Sequence, residues 1–139
     1  MNPAERSSAE LSPAEVVRRY LKVFETGDVA QMETLVAEDV EIWGAGNHVV
    51  GRRYPMGAAV TPGLTDCRME IVELFEAGDR VVVYFHNTYR HEASGQDALQ
   101  SGLKMYEVRD GKIVRFWGET DLYGLLMRLG KVPAEVSFE

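Results

Sequence analysis

The chain has 139 residues, enough for a single domain with one hydrophobic core, and its formal net charge is -7. That negative balance argues against nucleic acid or an anionic membrane surface as a partner, because phosphate groups are bound by clustered positive charge. One cysteine, Cys67, excludes an internal disulfide and a zinc site built from cysteines. The amino end has no apolar signal segment and no run is long enough to span a membrane, so a cytoplasmic location is expected.

The first ordered element is predicted to be a helix that begins after a polar lead-in, residues 1–11. Ser12-Pro13-Ala14-Glu15 has the form of a capping box with proline at the first helical position. Apolar residues then recur at helical spacing, and Gly27 ends the pattern. Asp28 can cap a second helix, whose apolar stripe is Val29, Met32, Leu35 and Val36.

The rest of the chain predicts mainly strands. Residues 40–43 read as a short strand, residues 44–57 as a glycine-containing loop, and residues 58–64 hold at most a helical turn. The period then changes to two, and a final helix follows Asp121. The order predicts an α+β domain over residues 12–131 with helices on one side of a curved antiparallel sheet, and a tail at 132–139. Four long strands are predicted at residues 68–76, 80–90, 98–108 and 112–117.

Three segments carry a resemblance to a known superfamily: RRYLKVFETGD around Tyr20, AEDV at 37–40, and DGKIVRFWGETDLYGLLMRLG at 110–130. Together with the element order they resemble the nuclear-transport-factor-two-like superfamily, and within it the SnoaL-like polyketide cyclases, ketosteroid isomerases and limonene epoxide hydrolases. The resemblance implies a cone-shaped sheet that encloses an apolar pocket, and a homodimer formed through the outer sheet face. It also implies chemistry without a cofactor or a metal on a small hydrophobic molecule.

The acids of these relatives are missing from the matching positions. The isomerase base would fall at Trp43 or Gly44, and the aspartate of the cyclases and epoxide hydrolases would fall at Gly118. The arginine and second aspartate of the epoxide hydrolases are matched by Phe85 and Asn87. Three hypotheses therefore stay open: an enzyme with a different proton-transfer group, a non-catalytic module that binds a hydrophobic ligand or dimerises, or chemistry built around His48 or His86 that the resemblance does not cover.

Lys104 falls where the cyclases carry a catalytic histidine. Strand alternation places Lys104 with Tyr106 on one face and Leu103 with Met105 on the other. If the lysine face is the inner one, burial lowers the amine pKa and makes the side chain a candidate general base or Schiff-base nucleophile. If it is the outer face, Lys104 is an ordinary solvated lysine.

Three further residues are candidates for catalysis, each with a structural alternative. Tyr20 matches the isomerase tyrosine that donates to a substrate oxyanion, but it also suits an amphipathic core position. Asp121 suits the cap of the last helix or a proton-transfer group. His86 could act as acid or base or lie in a dimer interface, and it points away from the pocket if Asn87 points into it.

Six residues are predicted to bind the substrate. Asn87 offers an amide to a carbonyl oxygen, His48 lies in the loop expected over the mouth of the cone, and Gly118 is expected to widen the cavity. Strand aromatics would line a site for a planar ring. No spacing of histidines, cysteines or carboxylates indicates a metal site. The remaining members of the set are Trp43, Tyr106 and Phe116.

Overall fold

The structure is a computed structural model that describes residues 11–44, 46–53 and 62–139. The predicted disorder of residues 1–10 and most of the predicted turn at 58–64 lie outside these residues. The described elements, in chain order, are α1 (Pro13–Thr26), α2 (Val29–Leu35), β1 (Val36–Gly44), β2 (Asn47–Val50), β3 (Leu64–Ala77), β4 (Arg80–His91), β5 (Asp97–Arg109), β6 (Lys112–Thr120) and α3 (Leu122–Arg128).

Both predicted helix starts are confirmed by their caps. The Ser12 side chain accepts a hydrogen bond from the Glu15 backbone N–H at 3.2 Å, and Asp28 accepts from Gln31 at 3.1 Å. Gly27 ends α1 in a left-handed conformation with φ of 71°, which glycine adopts without strain. Val36 belongs to β1 and not to α2 as predicted, because the helix ends at Leu35 and the chain becomes extended at once.

The six strands form one sheet in the order β2-β1-β6-β5-β4-β3. All neighbours are antiparallel except β1 and β6, which run parallel with Ile42 opposite Phe116. The α+β prediction with helices on one side of the sheet is confirmed, but the sheet is mixed and not wholly antiparallel. The chain reaches β6 from β1 only after four other strands, so short-range turn signals could not reveal this pairing.

Part of the predicted loop at 44–57 is a strand. Asn47–Val50 pairs with β1, and His48 lies opposite Trp43. The run is only four residues long, and its glycine neighbours favoured a loop on sequence grounds. The tight turn predicted at Asp110-Gly111 is confirmed, since both residues have positive φ, as a two-residue hairpin turn requires.

The hydrophobic core lies between α1 and the face of the sheet that the helices cover, here called the inner face. Neighbouring residues of β4 to β6 alternate between this inner face and the opposite, outer face. Each fully buried apolar side chain contributes roughly 1.5–3 kcal/mol relative to exposure. The largest core side chains with under 2% exposure are Tyr20, Met32, Phe85, Tyr106 and Ile113.

Candidate active site

Lys104 lies on the inner face of the sheet, which decides between its two predicted orientations. Its Nζ lies 5.6 Å from the centre of the Phe85 ring on β4 and 5.6 Å from that of the Phe116 ring on β6. Phe24 of α1 covers it from the helix side at 6.0 Å. Helix α1 and strands β4 and β6 therefore each place one aromatic ring beside this amine. The Lys104 side chain is partly exposed.

No carboxylate of the described residues compensates the positive charge of this amine. Among residues 11–44, 46–53 and 62–139, none forms an ion pair or a hydrogen bond with the Lys104 side chain. Burial disfavours the ammonium form and lowers the Lys104 pKa from 10.5 to about 8. Cation–π attraction to the three rings, worth about 0.5–2 kcal/mol each, favours the ammonium form and acts against that shift. With a pKa of about 8, about a tenth of the amine is neutral at pH 7.

Gly118 makes room for Lys104. The two residues are paired across β5 and β6, and a Cβ atom built on Gly118 would lie 2.7 Å from Lys104 Cγ and 3.0 Å from its Cδ and Cε. The prediction that Gly118 widens the cavity is therefore wrong in detail, because the lysine stem lies across that space. The space over Gly118 is therefore filled by the aliphatic part of the Lys104 side chain.

Two buried polar atoms on the inner face have no hydrogen-bond partner among the residues described. One is the hydroxyl of Tyr106, a neighbour of Lys104 on the same face of β5, and the other is Oδ1 of Asn87 on β4. The Asn87 amide nitrogen does donate, to the Tyr89 hydroxyl at 3.1 Å. Burial, and then the neighbouring Tyr20, raise the pKa of Tyr106 well above its usual value, so the phenol keeps its proton. Unpaired buried polar groups are rare in proteins and mark this interior as a candidate binding site.

Tyr20 joins the same interior from α1. Its ring centre lies 5.6 Å from that of Tyr106 and 6.1 Å from that of Phe116, and the side chain is 1% exposed. Tyr20, Lys104, Tyr106, Asn87 and Phe116 are therefore brought together on one side of the sheet. Phe24 and Phe85 were missed as members of this group, although Phe24 shares a helical face with Tyr20, four residues earlier.

Asp121 acts as the cap of α3. Its Oδ1 accepts a hydrogen bond from the Gly124 backbone N–H at 2.8 Å, and its Oδ2 lies 3.8 Å from Arg128 Nη1. The residue is exposed, unlike the enclosed amine of Lys104. These contacts give Asp121 a structural role and supply no support for proton transfer.

We expect Asp121→Asn to retain most of the helix cap and Asp121→Ala to destabilise the fold by about 1 kcal/mol, because asparagine also accepts from a free helix amide and alanine cannot. Urea unfolding of both variants measures the difference. Any catalytic rate that the wild type shows should be the same in Asp121→Asn and Asp121→Ala once both variants are folded. Equal loss of turnover in Asp121→Asn and Asp121→Ala would instead assign the carboxylate a chemical role.

His86 lies on the outer face, as alternation required once Asn87 was placed inside. Its Nε2 is 3.3 Å from the hydroxyl of Tyr84, and the two rings meet edge to face. His86 is therefore separated from Lys104 by the sheet itself. It does not join the inner group, and its predicted place in a dimer interface stays a prediction.

Trp43 and His48 also belong to the outer face. The His48 ring stacks on Trp43 at 4.3 Å, and Trp43 stacks on Trp117 at 5.2 Å. The prediction that His48 lies in a loop is wrong, because β2 pairs with β1 and places the histidine opposite Trp43. Its predicted contact with a substrate stays a prediction. Sequence reasoning missed this stack, since it rests on the parallel β1–β6 pair.

The stack forms one end of an open groove of about 630 Å³. Leu103, 55% exposed, and Met105 form much of its apolar surface, and Glu119 is its acidic member. Lys104 and Gly118, which pair across β5 and β6, also line this groove. An enclosed apolar pocket around the Lys104 amine on the inner face stays a prediction. The outer face is where the resemblance implies a homodimer, and that assembly is likewise still a prediction.

The one buried carboxylate of the described chain does not replace the missing acids. Glu107 is 5% exposed, and its two oxygens lie 2.9 Å from Arg109 Nη2 and 2.9 Å from Arg115 Nε. Two guanidinium groups thus occupy both oxygens of this carboxylate. Glu107 alternates with Tyr106 along β5 and so faces away from the inner group.

The part of the chain that the structure describes has neither a metal-binding cluster nor a membrane-spanning helix. No group of three or more His, Cys, Asp or Glu side chains there could hold a metal ion. No helix there is long and apolar enough to cross a membrane.

Comparison with known proteins decides the family. The SnoaL-like domain matches residues 17–116, which include the helical hairpin, Lys104 and Phe116. The chain belongs to the SnoaL-like domain family. The resemblance stated from the sequence is thereby confirmed. No curated protein sequence matches this SnoaL-like chain.

Solved structures share the fold at low sequence identity. IdmH from Streptomyces antibioticus, provisionally assigned as a polyketide cyclase, is 21% identical with a TM-score of 0.77, over 86% of this chain and 99% of IdmH. AclR from Streptomyces galilaeus, provisionally assigned as a hydroxylase, is 20% identical with a TM-score of 0.76, over 91% of this chain and 89% of AclR. An epoxide hydrolase of M. tuberculosis is 15% identical with a TM-score of 0.70, over 86% and 90% of the two chains. At these identities the likeness shows the fold alone.

Proposed function

We propose that this SnoaL-like protein is an enzyme that moves a proton on a small hydrophobic carbonyl compound, as in isomerisation, dehydration or the cyclisation of a polyketide-like chain. The observation that carries the proposal is the Lys104 amine, which three aromatic rings surround and no acid among the described residues neutralises. A group with a pKa of about 8 is suited to accept and return protons near neutral pH. The aromatic surroundings favour an apolar substrate.

A partner for the carbonyl oxygen is available beside the amine. The Tyr106 hydroxyl keeps its proton and has no acceptor among the described residues, so it can donate to an oxygen that gains negative charge. Tyr20 and Asn87 face the same interior and are the other candidates for this contact. In the proposed reaction the neutral Lys104 amine removes a proton α to the carbonyl, and the resulting ammonium returns it at another carbon. No cofactor is needed for that exchange.

Solvent-deuterium exchange tests the proposal with an enolisable ketone. We expect the protein to accelerate loss of the α-protons of 2-tetralone in D₂O, followed by NMR, and Lys104→Met to lower that rate by about 10²–10⁴-fold. The rate should rise with pH as the amine loses its proton, around the Lys104 pKa of about 8. Lys112→Met, which removes an exposed lysine, is the matched control.

A ligand-binding module is the alternative, and the non-acidic residues at the family positions, Gly118 and Asn87 among them, favour it. Tight binding of a hydrophobic compound that is returned unchanged, with exchange no faster in the wild type than in Lys104→Met, would replace the enzyme proposal by this one. A rate unchanged by Lys104→Met would remove the lysine from the mechanism altogether.

A further inference from the structure

We propose that Lys104 captures an aldehyde or ketone covalently, as an imine through its Nζ atom. The inference rests on the proposed function and deepens it, since it makes Lys104 a nucleophile as well as a proton carrier. The geometry that points to it is a single amine held inside a ring of aromatic side chains, with a fixed stem and an unpaired hydroxyl beside it. Each of these features has a separate part in the chemistry.

The stem of Lys104 holds the amine in place. Its Cγ, Cδ and Cε atoms lie over Gly118, where any side chain would collide with them. A lysine packed in this way has lost most of the freedom that an exposed lysine keeps, so its nitrogen is presented to one region of the interior. The side chain nevertheless keeps partial exposure, which leaves the amine within reach of a small molecule.

The surroundings suit both forms that the nitrogen must take. Attack requires the neutral amine, and no carboxylate among the described residues holds the ammonium form in place. The product imine becomes a cation when it is protonated, and the faces of Phe24, Phe85 and Phe116 then stabilise its positive charge. A carboxylate paired with the lysine could stabilise the protonated imine, but it would also keep the free amine charged and so prevent attack.

The step balances without a further reactant. The Nζ lone pair forms a bond to the carbonyl carbon while the C=O π electrons move to oxygen, and proton transfer from nitrogen to oxygen gives the neutral carbinolamine. The second N–H proton then leaves with that hydroxyl as water, and the C=N bond forms. The Tyr106 hydroxyl is suited to donate a hydrogen bond to the oxygen while it carries negative charge. The protonated imine acidifies the adjacent C–H bond, which is the bond broken in the proposed function, and water then accepts that proton because the Lys104 nitrogen is bonded to the substrate.

Reductive trapping of the full chain tests the inference. The protein is incubated with 2-naphthaldehyde and sodium cyanoborohydride near pH 7, and the modified amines are located by peptide mass spectrometry. The chain has four lysines, and Lys22, Lys112 and Lys131 are exposed internal references. An α-amino group has an ordinary pKa of about 8, so the amino terminus is a reference for an amine of similar basicity.

We expect Lys104 to be modified about tenfold or more faster than the three exposed lysines, because a larger fraction of it is neutral. Modification of Lys104 at or below the rate of the exposed lysines would overturn the inference. Lys104→Arg keeps a positive charge but cannot form an imine, and it should lose the fast adduct while the reference amines react as before. A fast adduct that persists at another lysine in Lys104→Arg would also overturn it.

The ketone of the deuterium-exchange experiment, 2-tetralone, separates this inference from the proposed function. With 2-tetralone and borohydride, a Lys104 adduct without catalysed deuterium exchange would support the imine and contradict the proposed enzyme. Deuterium exchange that depends on Lys104 but gives no adduct would support proton transfer and contradict the imine.

Discussion

Lys104→Met is expected to stabilise the folded protein at pH 7 by roughly 1–3 kcal/mol, where most substitutions of a buried residue destabilise. The reason is that folding moves a charged amine out of water and places it among three aromatic rings, with no acid partner in the described part of the chain. Methionine has a similar length, packs over Gly118 and carries no charge. The upper end of the range follows from the fall in the Lys104 pKa, and the partial exposure of the side chain lowers it.

This gain should depend on pH in a defined direction. The folded-state pKa of Lys104, about 8, lies below its ordinary value of 10.5, so between those values the unfolded chain binds more protons than the folded one. The stability of the wild type therefore rises, relative to Lys104→Met, as pH increases from about 8 to 10.5. Below pH 8 both states are protonated and the full penalty of the buried charge remains. The advantage of Lys104→Met is largest there and shrinks as the solution becomes alkaline.

Urea unfolding of the wild type, Lys104→Met and Lys112→Met at several pH values between 6 and about 10 measures this difference. Lys112 is exposed, so Lys112→Met should differ little from the wild type at any pH. A Lys104→Met variant that is less stable than the wild type at pH 7, or whose advantage does not change with pH, would show that the amine is well solvated or paired.

Gly118→Ala is expected to destabilise the fold by about 1–3 kcal/mol. Its new Cβ would lie 2.7 Å from Lys104 Cγ and 3.0 Å from Cδ and Cε, so the lysine stem or the strand must move. The nearest of these atoms is close to the backbone and has little freedom to turn away. Overpacking of an already filled space is the physical cause.

Removing the lysine stem should abolish the penalty. In Lys104→Ala the three colliding carbon atoms are absent, and the three nearest contacts of a Cβ on Gly118 all belong to that side chain. Alanine there should then be neutral or favourable by about 0.5 kcal/mol, since it restricts the unfolded chain more than glycine does. A double-mutant cycle by urea unfolding gives the coupling directly. Additive effects of Gly118→Ala and Lys104→Ala would contradict the packing of the stem over Gly118.

Local features of the fold were readable from the sequence because each depends on a few neighbouring residues. The caps at Ser12 and Asp28 and the turn at Asp110-Gly111 are signals of this kind. The β1–β6 pair could not be read in the same way, because parallel neighbours far apart in the chain leave no turn between them. The places of Trp43 and His48 on the outer face depend on that pair, so the sequence could not indicate them.

The sequence predicted which residues share a face with Lys104, but it could not predict which face is the inner one. Alternation correctly joined Lys104 with Tyr106 and separated Asn87 from His86, but it could not say which face the helices cover. That choice depends on where α1 packs, and the structure settles it through the contact between Phe24 and the amine. The sequence also could not predict that the Lys104 stem fills the space over Gly118, because this contact joins a side chain of β5 to the backbone of β6.

The proposed proton transfer depends most directly on the pKa of Lys104 in the folded protein, which an NMR titration of the lysine ¹³Cε signals measures. The four lysines give a small set of signals, and Lys104→Arg assigns the one of interest. We expect a midpoint of about 8 for Lys104, well below those of the three exposed lysines. A midpoint near 10.5, together with the others, would contradict the proposed proton transfer and leave the interior without a group that can transfer protons at neutral pH.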